Sequence, residues 1–203
     1  MKDLLRGFRL KGMDEEAQRF TSSIPYDSEI FEQVKKINMA HMAMLVSKGL
    51  VDRDEGLKCI EALRELKGLK PSYELEDVHM AVEAHVISKV GEAGEMLNLA
   101  KSRNDQVATA IRMRLKEYVL DAVRELLSLR KTLLRRASEH LGVVMPGYTH
   151  MQQAQPVSLP THLLAYFSSL GRDVKRLMAS YEFADECPMG SAALATTGFD
   201  IDR

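Results

Sequence analysis

The sequence predicts an all-α fold, a small N-terminal helical domain followed by much longer helices, and three observations carry that expectation. Apolar residues recur at steps of three and four almost everywhere. No stretch alternates β-branched and polar residues convincingly with period two, so strands are at most minor. One apolar stripe also continues for about 35 residues without an internal proline or glycine, on the order of 50 Å of helix.

The elements follow in order. In a polar opening, Asp14 is placed to cap EEAQRF. Asp27 or Ser28 starts a helix with Ile30, Val34, Ile37, His41, Met44 and Leu45 on one face, and Gly49 ends it as a C′ residue. Asp52 opens the next, with Leu57, Ile60, Leu63 and Leu66 on its buried side. GLKPSYELED (68–77) is a loop, and Asp77 or a neighbour restarts helix to about Val90. Gly91 and Gly94 close this first domain, residues 1–100.

The second domain, 101–203, opens at Ser102, three residues before Asp105 in the relation of a capping box. Its long stripe includes Val107, Ile111, Leu115, Tyr118, Leu126, Leu129, Leu133 and Ala137, with charges laced along the opposite side. PGYTHMQQAQP, from Pro146 to Pro156, interrupts the helical pattern and reads as an ordered loop. Pro160 suits the first turn of a second long helix, which carries Leu163, Phe167, Leu170, Val174 and Tyr181 to about Asp185. Two long helices cannot enclose a core alone, so this domain is expected to be incomplete and to need partners, which implies an oligomer.

Composition narrows the function classes. A formal net charge of −1 over 203 residues argues against nucleic acid as a partner. No run of 18 apolar residues exists and the N-terminus lacks a signal-peptide core, so neither a membrane nor export is expected. Cys59 and Cys187 lack metal-ligand spacing and read as free thiols of a reducing cytoplasm. No metal site is expected.

Chemistry-bearing residues fall where the periodicity breaks. SSIPYD (22–27) supplies Ser and Asp, which either cap a helix or face a ligand. KSRNDQ (101–106) places Ser102, Arg103 and Asn104 at a helix N-terminus, whose free N–H groups and positive dipole end suit a carboxylate or phosphate. An ordinary capped helix start accounts for the same residues. An imidazole side chain suits acid or base work near neutral pH, which makes His150 a candidate, with Thr149, Gln152 and Gln155 as polar neighbours. It can equally be structural. In EDVHMAVE (76–83), Asp77 and His79 stand near a helix start and Glu83 shares a face with His79.

Together SSIPYD, EDVHMAVE, KSRNDQVAT, PGYTHMQQAQP and CPMGSAALATTGFDIDR resemble, in family order, the motifs of argininosuccinate lyase, in the aspartase/fumarase superfamily. THMQQAQP marks the superfamily, while SRNDQ and the Gly-Tyr before Thr-His favour argininosuccinate lyase over fumarase or adenylosuccinate lyase. The resemblance implies an N-terminal helical domain leading into the first helices of a long-helix bundle. It implies a cofactor-free β-elimination of argininosuccinate to arginine and fumarate, within arginine biosynthesis. It carries His150 as proton acceptor, with a serine elsewhere in the family as the other candidate. Ser23, Ser102, Arg103, Asn104 and Thr149 become substrate-binding residues, with Asp77, His79 and Gln152 in support.

The family's arginine before SRNDQ is Lys101 here, its N-terminal W-G-G-R-F is only echoed by LLRGFR, and its flexible serine loop has no counterpart. The family builds each site from three subunits of a tetramer. The expectation is therefore the N-terminal part of such an enzyme, inactive alone. A different lyase of the superfamily, such as adenylosuccinate lyase, and a crystallin-like non-catalytic helical assembly protein are the alternatives.

Overall fold

A computed structural model of the chain describes residues 14–68 and 75–202. The LLRGFR echo and most of the GLKPSYELED loop lie outside the described residues. The helices are α1 (Glu15–Thr21), α2 (Ile24–Asp27), α3 (Phe31–Ser47), α4 (Arg53–Glu65), α5 (Val78–Val90), α6 (Glu92–Glu95), α7 (Arg103–Glu139) and α8 (Leu159–Ala184), with 3-10 turns at Ser28–Ile30 and Met96–Asn98. Between α7 and α8 stand two strands, β1 (Val144–Thr149) and β2 (Gln152–Ser158).

Local chemistry sets most helix starts. Asp14 accepts from the N–H groups of Glu16 and Ala17, Asp52 from those of Asp54 and Glu55, and Asp77 from that of Met80. Each carboxylate satisfies donors that no helical carbonyl reaches and complements the positive helix end. Ser102 and Asp105 exchange bonds reciprocally. The Ser102 hydroxyl accepts from Asn104 N–H at 3.2 Å, and the Asp105 carboxylate accepts from Ser102 N–H at 3.1 Å. Ser158 caps α8 through Thr161 N–H.

The chain forms two compact units, one running to Arg114 and rejoined by the segment from Cys187, the other Leu115–Glu186. Helix α7 passes covalently from one into the other. In the first unit, α3, α4 and α5 surround a core that includes Val34, Met42, Leu45, Leu63, Val82 and Val86, all fully buried. The inner face of α4 differs from the expected one. Leu57 is 48% exposed, while Gly56 and Cys59 face inward. A Cβ on Gly56 would lie 2.2 Å from Val46 Cγ2, so glycine is what lets α4 approach α3 this closely.

In the second unit, α8 runs antiparallel to α7. Lys116 pairs with Asp185 and lies over the Tyr181 ring, and Arg130 lies 4.2 Å from the Phe167 ring while donating to the Phe167 carbonyl. Much of the apolar stripe stays uncovered within this chain, with Leu115, Tyr118 and Leu129 each nearly half exposed.

PGYTHMQQAQP is not a loop but most of an antiparallel hairpin. Thr149 pairs with Gln152, Tyr148 with Gln153 and Pro146 with Pro156, with an irregularity at Gly147. Both strands are largely exposed, so no buried side imposes a two-residue hydrophobic period. The turn also lacks the Asn-Gly signature of a two-residue hairpin. A Cβ at Gly147 would approach the Gln155 carbonyl oxygen to 2.7 Å, which makes glycine necessary at the irregularity.

Candidate active site

The motif residues fall into two groups, one in each unit. In the first unit, the SSIPYD stretch docks on the start of α5. Ser23 N–H donates to the Glu76 carbonyl at 2.9 Å, and Ser22 Oγ donates to that of Leu75 at 3.2 Å. One Asp27 oxygen accepts both Ser23 Oγ–H at 2.7 Å and Val78 N–H at 3.0 Å. The first motif is thereby bolted to the second.

Asp77 then joins the second motif to the third. Its carboxylate caps α5 and lies 3.2 Å from Arg103 Nε, while the other end of that guanidinium lies 3.7 Å from Glu83. Arg103 is thus held between two acids, leaving the Ser102 hydroxyl and the Asn104 carboxamide as uncharged side-chain donors of the helix start, while the Ser102 and Asn104 N–H groups are engaged in the reciprocal cap. Ser102 is half-buried and Asn104 exposed.

His79 is 3% exposed, and its Nδ1 lies 3.3 Å from Gln106 Oε1. A carbonyl oxygen only accepts, so the ring proton sits on Nδ1 and Nε2 keeps a bare lone pair. That Nε2 is buried and has no hydrogen-bond partner among the described residues. Burial, with Arg103 adding to it against the opposing pull of Asp77, lowers the His79 pKa to about 4, so the ring is neutral at pH 7.

Lys101 donates to Asn38 Oδ1, and Asn38 in turn donates to the Val34 carbonyl. Burial of the ammonium, reinforced by Arg103, pulls Lys101 down to about 7. On the same side of α3, His41 Nε2–H donates to the Leu99 carbonyl at 2.8 Å, and burial followed by Lys101 lowers its pKa to about 4. Asp27, Asn38, Glu83, Asp105 and Gln106 are participants that sequence reasoning did not single out as site residues. Asp105 had a signal in the capping-box spacing, and Glu83 in its placement four residues after His79.

In the second unit, Thr149, His150 and Gln152 surround the hairpin tip, all exposed. His150 and Met151 form its two-residue turn with φ of 52° and 63°, the left-handed values a type I′ turn requires. Side chains other than Gly, Asn and Asp rarely adopt this region, at a cost of roughly 1–2 kcal/mol per residue. Among the described residues, no group of His, Cys, Asp and Glu is arranged to hold a metal ion.

Comparison with known proteins places this chain. It belongs to the family described as "Lyase", which matches residues 10–203. Within that family it is 44% identical to the argininosuccinate lyase of Methanothermobacter thermautotrophicus, over 98% of this chain and 44% of that protein. It is 45% identical to the argininosuccinate lyase of Methanothrix thermoacetophila, over 98% of this chain and 42% of that one. The chain spans less than half the length of these curated relatives. Among solved structures it resembles an EDDS lyase variant with bound fumarate, at a TM-score of 0.80 and 26% identity, covering 93% of this chain and 38% of that one. A fumarate lyase from Mesorhizobium sp. BNC1 shares the fold at a TM-score of 0.67 and 20% identity, over 86% of this chain and 42% of that one.

Proposed function

We propose that the natural polypeptide carrying this sequence is an argininosuccinate lyase, which eliminates fumarate from argininosuccinate and leaves arginine. The observation carrying this reading is 44–45% identity to argininosuccinate lyases across nearly the whole chain. Residues 1–100 serve as the N-terminal helical domain, and 101–203 begin the long-helix domain. The reaction removes a proton from the carbon beside a carboxylate, so negative charge accumulates on that carboxylate before the C–N bond breaks. Donors set in place beforehand must meet that charge. The Ser102 hydroxyl and the Asn104 carboxamide at the α7 N-terminus supply them, Thr149 adds a hydroxyl, and Ser23 contacts the substrate by exchanging its bond to Asp27. Arg103, held by Asp77 and Glu83, adds positive potential. His150 is the proton acceptor, Gln152 closes its turn beside Thr149, and neutral His79 with Asp77 supports the helix start. No cofactor is required for this chemistry.

The uncovered stripe on α7 supports self-association, with a tetramer as the assembly, and the cytoplasm is the proposed location. The test is fumarate release, followed by ultraviolet absorbance, from argininosuccinate, adenylosuccinate and aspartate. Preference for argininosuccinate is expected, and His150→Ala should lower kcat by about 10²-fold or more. Preference for another substrate would replace the assignment with a different C–N lyase, a reading the EDDS lyase likeness favours next. An unchanged rate in His150→Ala would remove His150 from the mechanism.

A further inference from the structure

We propose that Asp105 is a positioning residue that ties the Pro188–Ala192 turn to the first turn of α7, so that the donors at Ser102–Asn104 and this later turn order together. Asp105 is 3% exposed. One carboxylate oxygen accepts Ser102 N–H at 3.1 Å, and the other accepts Ala192 N–H at 2.9 Å. The two donors are 90 residues apart in the chain (192 − 102), separated by all of α7, the hairpin and all of α8. Each is a carboxylate accepting from a backbone N–H at a partly buried position, a charge-assisted bond stronger than one between neutral groups.

The turn it holds is not self-sufficient. Ala192 has φ of 52° and Thr196 φ of 69°, both in a region side chains rarely adopt. Ser191 N–H and Oγ–H both donate to the Pro188 carbonyl, and Thr196 N–H donates to that of Ser191, so the turn is closed locally. Among the described residues its attachments to the rest of the unit include Met189 packed against the core, Lys48 paired with Asp200 at 3.6 Å, and the Asp105–Ala192 bond. The last runs to the helix start that carries the candidate donors. With both oxygens engaged by backbone N–H groups, Asp105 acts through Ser102 and not by touching substrate. Its neighbour Gln106 holds His79 in the same turn of helix. The positioning role rests on the anion-site reading above, whereas the tie itself does not.

Amide hydrogen exchange of the full chain, read by mass spectrometry with and without sodium fumarate, tests both. In the unsubstituted chain the Ala192 amide should be protected by about 100-fold or more over an unstructured peptide. Asp105→Asn presents an amide donor to one of the two N–H groups. It should speed exchange in 188–196 and at Ser102 by about tenfold, with α3 to α5 unchanged. Lys48→Ala should leave the Ala192 amide as it was. Fumarate should slow exchange at 102–104 and at 188–196 together, and Asp105→Asn should abolish the response at 188–196.

An unprotected Ala192 amide in the unsubstituted chain overturns the tie, and that measurement needs no variant to fold. Unchanged exchange in Asp105→Asn overturns it as well. Fumarate protection at 102–104 alone overturns the coupling. Absence of any fumarate response, with the tie intact by exchange, counts against the anion-site reading and the positioning role built on it.

Discussion

Met151 is fully exposed and left-handed, and His150 beside it shares that backbone region, so the hairpin tip holds two strained residues, of which His150 is the proposed base. Met151→Gly removes a side chain that touches nothing. It relieves roughly 1–2 kcal/mol of strain against roughly 0.5–1 kcal/mol of added chain entropy, a net gain of ~0–1.5 kcal/mol. Thermal unfolding should show a raised Tm, and a lowered one would mean that Met151 makes contacts in solution. Buried histidines set a second residue-scale expectation. His41 and His79 are both lowered from 6.5 to about 4, so between those values the unfolded chain binds protons that the folded chain refuses. Their contribution is complete above pH 6.5 and drains away as pH falls toward 4, with a limiting slope of about 1.4 kcal/mol per pH unit for each. Lys101, lowered from 10.5 to about 7, works in the same direction at higher pH, where stability rises between those values. Urea unfolding should track this profile, and His41→Gln, which keeps a donor for the Leu99 carbonyl, should flatten the acid limb by one histidine's share.

Among the elements, α3 and α4 depend on a close approach that a single methyl group would block. Gly56→Ala places a Cβ against Val46 where 2.2 Å is available, and forcing the helices apart should cost about 1–3 kcal/mol. A urea midpoint equal to that of the unsubstituted chain would show that Val46 rotates away freely. Helix boundaries are legible in the sequence because each cap acts within three residues of itself, as Asp14, Asp52, Asp77 and the Ser102–Asp105 pair demonstrate. The hairpin is not, because a ribbon exposed on both faces leaves no hydrophobic alternation and its turn uses His-Met where Asn-Gly is the usual signal. Leu57 departs from its expected face for a related reason. A glycine on the inner face rotates the buried stripe of α4 without leaving an apolar mark.

At the scale of the whole molecule, the second unit carries more apolar surface than its two helices cover. Leu115, Tyr118, Leu120, Leu127, Leu129 and Leu134 on α7 each keep 41–48% of their surface, and Phe183 on α8 keeps 79%. Extended apolar exposure marks interaction surfaces, and the proposed self-association would cover it. The proposed self-association predicts a sedimentation coefficient above that of a monomer at micromolar concentration, and Leu129→Glu should lower it. A well-behaved monomer would oppose that proposal.

The sequence by itself determined the helical class, the caps of α1, α4, α5 and α7, the two long helices and the motif set, since each is written within one turn of helix or one short run of residues, whereas α3 starts at Phe31 rather than at Asp27 or Ser28. Tertiary structure alone decided how the motifs are joined. It engaged Arg103 between Asp77 and Glu83, left His79 neutral with a bare nitrogen, lowered Lys101, and gave Asp105 a donor from Ala192. Those outcomes depend on burial and on contacts between residues 20 to 90 positions apart. No local pattern encodes them, because a charge's partner and its access to water exist only once the chain has folded.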